Sequence, residues 1–154
     1  VFAKNEYIQE CLIQQMKSDT FQKEYLALVD GIVHKKKQII NAPIARKNDS
    51  IIERCISSSG QEAKTHYTVL KEFTNYSLIE CKLETGRTHQ IRVHMTHIGH
   101  PLLGDSLYNK NADVNALISR QALHSYKMDF IHPIFKTKIL LKADIPEDIK
   151  KLII

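Results

Sequence analysis

Between Leu83 and Tyr108 the chain reads LETGRTHQIRVHMTHIGHPLLGDSLY, a run rich in side chains that bind charge or move protons. Arg87, Thr88, His89 and Gln90 stand together, and Arg92 follows them. The apolar residues supply the frame. Ile91, Met95 and Ile98 recur at i, i+4 and i+7, the spacing of the buried face of a helix. Thr88 precedes that face where an N-cap hydroxyl satisfies a free backbone N–H, and Gly99 before His100-Pro101 is a glycine stop. Arg87 to Gln90 therefore gather at the positive, N–H-rich end of the helix, which suits a phosphate or a carboxylate. Arg92 lies off the apolar stripe.

The run resembles the third conserved motif of the RluA-type RNA pseudouridine synthases, enzymes that isomerise chosen uridines in ribosomal or transfer RNA. The resemblance rests on GRTHQIRVH at Gly86 to His94 and GHPLLGD at Gly99 to Asp105. It extends to KEYLALVDG, which is similar to the family's K-x-Y-x-A-x-V-x-G strand, and to ALHSYKMDFIHP, similar to its L-H-A-x-x-L-x-F-x-H-P segment. VFAKN at the start resembles the end of the strand after the family's catalytic loop. The H-R-L-D loop that carries the family's catalytic aspartate does not occur in this sequence.

The resemblance implies roles. Arg92 is the arginine that pairs with the catalytic aspartate, Arg87 belongs to the same wall, and Tyr25 is the ring that stacks on the uracil. Pseudouridine formation breaks the C1′–N1 bond, turns the uracil and rejoins C1′ to C5, so it needs no redox cofactor and no metal. It does need a flipped base held by stacking, and an aspartate kept ionised while desolvated. A guanidinium meets the second need, since it is always charged and binds both carboxylate oxygens. Read from the residues alone, Tyr25 is better taken as a core strand residue, a weighting the resemblance reverses, and the plain alternative for Arg92 is a surface arginine of a helix. His94, His97 and His100 form an H-x-x-H-x-x-H series that also admits a metal site. Against that, the last histidine lies past the glycine stop, no H-E-x-x-H pair exists and no carboxylate is interleaved. Packing or RNA contact is the better reading of the histidines, and Asp105 reads as a structural turn residue.

The elements that must position these groups follow from periodicity. Asn5 caps a helix with Ile8, Leu12 and Met16 on one face, ended by Ser18-Asp19. Gln22 to Val33 is apolar on both faces, as a central strand is. A basic loop, Lys35 to Lys37 with Arg46 and Lys47, flanks a short strand at Ile39-Ile40, and a second short strand is predicted from Ile51 to Ile56. His66 to Phe73 and Tyr76 to Glu84 alternate around Thr74-Asn75 as a hairpin that delivers the chain to Gly86. After Tyr108 comes a polar stretch with one helical turn, then strands at Ala122 to Phe130 and Thr137 to Ala143. Pro146 opens a last helix.

The chain has 154 residues, 43% of them hydrophobic, and a formal charge of +5 from 22 Lys+Arg against 17 Asp+Glu. That bounds it to one domain with a core and an anionic partner. No apolar run reaches a membrane span and no signal segment opens the chain, so the sequence points to the cytoplasm. Three scattered cysteines without a C-x-x-C pair indicate neither disulfides nor zinc. Val1-Phe2-Ala3 reads as the tail of a strand and the chain as the C-terminal part of one catalytic domain. The expected fold is α+β: a mixed, mostly antiparallel sheet with flanking helices. The function expected is RNA pseudouridine synthesis, with a non-catalytic RNA-binding module as the alternative.

Overall fold

The structure, a computed structural model, describes residues 1–18 and 20–154. Its centre is strand β1 (Gln22–Asp30), whose apolar residues on both faces give it neighbours on both edges. It pairs with β6 (Tyr76–Leu83) on one side and β7 (Leu123–Ile131) on the other. With β2 (Lys37–Asn41), β5 (Lys64–Glu72) and β8 (Lys138–Lys142) these form a six-stranded sheet of order β2-β5-β6-β1-β7-β8. Every pairing in it is antiparallel, in keeping with the mostly antiparallel sheet the sequence suggested. The β5–β6 hairpin turns at Thr74-Asn75 as its alternation predicts. A separate two-stranded ribbon joins β3 (Ile44–Arg46) to β4 (Arg54–Ile56). The predicted strand is thus cut to its last three residues, because Ile51 and Ile52 lie in an exposed bend.

Alternation along β1 divides the core in two. Ala27 and Val29 face a cluster with Ile79, Cys81, Tyr67 and the helix α2 (Gln90–His97), which supplies Ile91 and Met95. Leu26 and Leu28 face the other way, against Leu78, Leu103, the short helix α3 (Ala112–Asn115) and the last helix α4 (Glu147–Ile153). An Arg120–Asp148 pair helps hold α4 there, at 2.7 Å. Helix α1 (Glu6–Lys17) is capped by Asn5, whose Oδ1 accepts the Ile8 N–H at 2.9 Å, and lays Leu12 on Phe21 and Phe130. Met16, assigned to its buried face, is exposed. Asp19, predicted to end this helix, lies outside the described residues. Residues 1–3 form no strand, although Val1-Phe2-Ala3 reads in the sequence as the tail of one.

Helix α2 ends as the sequence foretells and begins differently. Gly99 takes φ +86°, and the N–H groups of Gly99 and His100 return to Thr96 and Met95 carbonyls, a Schellman end that releases the chain toward Pro101. At the start, however, Thr88 is not the cap. His89 occupies the N-cap position in a left-handed conformation, φ 57°, without a side-chain cap. Gln90 instead steadies the turn that leads in: its Oε1 accepts the Arg87 N–H and the Thr85 hydroxyl, each at 2.9 Å.

Candidate active site

Arg92 leaves the exposed side of α2 and meets Asp105, which a sharp turn brings back beneath it. Its Nε–H donates to one carboxylate oxygen at 2.7 Å and an Nη2–H to the other at 2.6 Å. The Asp105 side chain is 0% exposed and that of Arg92 14%. Asp105 also accepts the N–H groups of Leu107 and Tyr108, so four bonds hold its charge. Gly104 makes this turn possible. At φ +66° a Cβ there would stand 2.1 Å from the Arg120 carbonyl oxygen, so no other residue fits. Asp105 strengthens the charge on Arg92 further, raising a pKa that is already high.

Tyr108 continues the cluster. The guanidinium lies over its ring, 4.8 Å from the centroid, and its hydroxyl accepts the backbone N–H of Arg54 at 2.8 Å. His89 Nδ1 reaches the same hydroxyl at 2.9 Å, the contact for which its left-handed backbone aims the ring. With Arg54 as donor, the hydroxyl proton goes to His89 Nδ1, which leaves the histidine's own proton on Nε2. Burial lowers the His89 pKa, and the charges of Arg92 and Arg54 lower it further. The neutral form follows from a site that is already positive.

The residues grouped by sequence separate in space. Arg87 and Thr88 are exposed and line a cleft of about 390 Å³ with Arg46 and Arg54, and the Arg87 Nε–H donates to the Glu62 carbonyl. Gln90 is not a ligand-facing residue, contrary to the sequence reading. It is 2% exposed, and its Nε2 donates to the Lys64 carbonyl and the Thr65 hydroxyl. Its spacing after Arg87 suggested an anion site because periodicity cannot distinguish a polar residue that faces out from one that fastens a helix to a sheet. Thr65 in turn donates to His94 Nδ1, and His94 Nε2–H to the Ala42 carbonyl, both at 2.9 Å. His94 is thus a buried neutral fastener, its pKa lowered by desolvation first. His100 turns to the Asp30 carbonyl and His97 faces out, so the histidine series diverges. Among the described residues no three His, Cys, Asp or Glu side chains gather to hold a metal ion.

Tyr25 lies on the same face of the sheet as α2, half-buried against the cluster to which Ile91 and Met95 belong. No hydrogen bond or ring contact joins it to Arg92 among the described residues. Opposite Glu24 and Tyr25 the β1–β7 register slips, Lys127 pairing with the first and Ser125 with the second. Such a bulge re-aims a strand residue, and it falls beside the tyrosine. Burial raises the Tyr25 pKa, and Ser125 opposes this.

A family model described as RNA pseudouridylate synthase matches residues 1–97. The chain belongs to that family. Among its relatives, the RNA pseudouridine synthase YhcT of Bacillus subtilis, named as uncharacterized, is 43% identical over 154 residues, 99% of this chain and 50% of its own length. The ribosomal large subunit pseudouridine synthase D of Nitrosomonas europaea is 39% identical over 159 residues, 99% of this chain and 46% of its own. The chain thus spans about half the length of the curated relatives it matches. The structure of human RNA pseudouridylate synthase domain containing 1 superposes with a TM-score of 0.77 at 25% identity, covering 92% of this chain and 62% of that one. The α+β expectation is met by that likeness and by the sheet itself. No helix among the described residues is long and apolar enough to cross a membrane.

Sequence reasoning passed over three members of the cluster: Asp105, Tyr108 and Arg54. Asp105 was assigned to a turn, which it does make, but its carboxylate faces inward to Arg92. The available signal was a lone acid following Gly104 close after a helix whose arginine lacked a partner.

Proposed function

We propose that this chain is the arginine-bearing part of an RNA pseudouridine synthase, the C-terminal part of one catalytic domain. It supplies Arg92 and Tyr25 as catalytic partners, and an aspartate on an H-R-L-D loop upstream completes the site. The observation that carries this is the Arg92 fork. One edge, Nε and Nη2, is fixed on Asp105, while Nη1 makes no hydrogen bond among the described residues. A guanidinium held so is aimed before a second carboxylate arrives, and its open edge keeps that carboxylate ionised in a desolvated pocket.

In the reaction the C1′–N1 bond breaks and a C1′–C5 bond forms; N1 gains a proton and C5 loses one. Tyr25 holds the uracil by stacking. Burial raises its pKa, so the hydroxyl is protonated at neutral pH and takes the C5 proton only as its own proton passes to solvent, rather than acting as a standing phenolate. Arg87, Thr88 and His89 face the RNA. The substrate is ribosomal or transfer RNA, with ribosomal RNA favoured by relatives named for the large subunit, and the place of action is the cytoplasm. Tritium release from RNA labelled at uridine C5 tests this reading. The protein with the H-R-L-D segment upstream should release tritium, and Arg92→Met should stop it. Undiminished release by Arg92→Met would refute the assignment.

A further inference from the structure

The β3–β4 ribbon places Arg46 directly opposite Arg54. Residues so paired project to one side with Cβ atoms about 4.5–5.5 Å apart, and like charges there repel. That side is also the one on which Ile44 and Ile56 pack against Val93 of α2, so it faces the start of the helix. Arg87 and Thr88 complete the opposite wall, and Ser59, Gly60 and Gln61 close the cleft. Among the described residues no carboxylate lines it. The nearest acids in sequence are engaged elsewhere, Glu53 with Lys47 and Glu62 with Lys64. Three arginines from three segments thus line one open cleft, and no carboxylate among the described residues lines it with them. A fold gains nothing from that arrangement until an anion enters.

We infer that the cleft between the β3–β4 ribbon and the start of α2 binds a phosphodiester of the RNA backbone, with Arg46, Arg54 and Arg87 donating to its oxygens. The Thr88 hydroxyl and the Gln61 side chain add neutral donors. Tyr108 ties the cleft to the Arg92 cluster, because its hydroxyl holds the Arg54 backbone while its ring lies under Arg92. A strand fixed here by phosphate is held in register beside the uridine site, and such contacts position without reading sequence. Arg54 is partly committed, its Nη1 donating to the Ile52 and Glu53 carbonyls, so Arg46 and Arg87 carry most of the adjustable charge.

The inference rests on the RNA reading above, and the test separates the two. Binding of a fluorescein-labelled RNA stem–loop to the whole chain is followed by anisotropy from about 50 to about 200 mM salt. One phosphate contact is worth about 0.7–0.9 in the log–log salt slope, so Arg46→Gln/Arg87→Gln should lose up to about that much and bind severalfold more weakly at low salt. Arg46→Lys/Arg87→Lys should recover most of the slope, which excludes misfolding as the cause. Lys35→Gln/Lys36→Gln, in the basic loop outside the cleft, should leave it unchanged. A wild type with a steep slope that the glutamine variant matches would sink the cleft and leave the RNA reading intact. An equal loss from the Lys35/Lys36 variant would also sink it.

Discussion

At Arg92 and Asp105 two opposite charges leave water together, and the desolvation each suffers is recovered only while both are present. Arg92→Met should therefore cost about 3–5 kcal/mol of stability by leaving a buried carboxylate unpaired. Replacing both, as Arg92→Met/Asp105→Leu, should regain part of that and not all, because the Leu107 and Tyr108 N–H groups would still lose their acceptor. Urea midpoints of the two single variants and the double give the coupling directly. Additive losses would mean that the pair contributes nothing as a pair. Tyr25 calls for a different readout. Tyr25→Phe should keep the stacking surface and slow tritium release in the protein that carries the aspartate, whereas Tyr25→Ala should also weaken RNA binding by about 1–3 kcal/mol. Wild-type turnover by Tyr25→Ala would remove the ring from the site.

At the scale of elements, α2 is fixed by a relay: Gln90 to Thr65, Thr65 to His94, His94 to the Ala42 carbonyl. The relay needs neutral His94, and its pKa is lowered below the ordinary value near 6.5. In that case the unfolded chain binds the extra proton first, so stability is fully present above about pH 6.5 and declines as pH falls toward the folded pKa. His89, also lowered, works in the same direction. Chemical denaturation at successive pH values should show this loss, and His94→Gln should flatten it while lowering stability throughout by about 1–3 kcal/mol. An unchanged pH slope in His94→Gln would place the proton elsewhere. The sequence makes α2 and its end legible, since Ile91, Met95, Ile98 and Gly99 obey local rules. The start was not legible, because Gln90 fastens it to β5 through Lys64 and Thr65, contacts that no local pattern encodes. The β5–β6 hairpin was readable for its alternation and its Thr74-Asn75 turn. The opposition of Arg46 and Arg54 was not, as it depends on two three-residue strands joined across an irregular segment.

Across the whole molecule the sheet presents two unlike faces, and the residues proposed for catalysis lie on the one covered by α2. There Tyr25 packs with Ile91 and Met95 of the helix that carries Arg92, and the arginine cleft adjoins the start of that helix, while the opposite face is occupied by α4 and by the ion pairs of Glu24 with Lys82 and Lys127. Among the described residues this face offers no free carboxylate beside Arg92 that could reach C1′ of a uridine. Asp105 is the nearest acid to Arg92, yet it cannot serve. Both its oxygens are taken by the guanidinium, one also accepts the Leu107 and Tyr108 N–H groups, and no part of the side chain meets solvent. To reach a substrate it would have to break the pair that keeps it charged. The purified 154-residue chain should therefore bind RNA with a marked salt dependence and release no tritium from C5-labelled uridine. Adding Asp105→Asn should not alter that zero, whereas in the protein with the upstream aspartate the same change should slow release by freeing the Arg92 fork from its anchor. Arg92→Lys there should be slower than wild type and faster than Arg92→Met, because an ammonium keeps the charge but cannot make both parallel bonds. Measurable release by the chain alone, abolished by Asp105→Asn, would reverse the assignment and make Asp105 the reacting carboxylate.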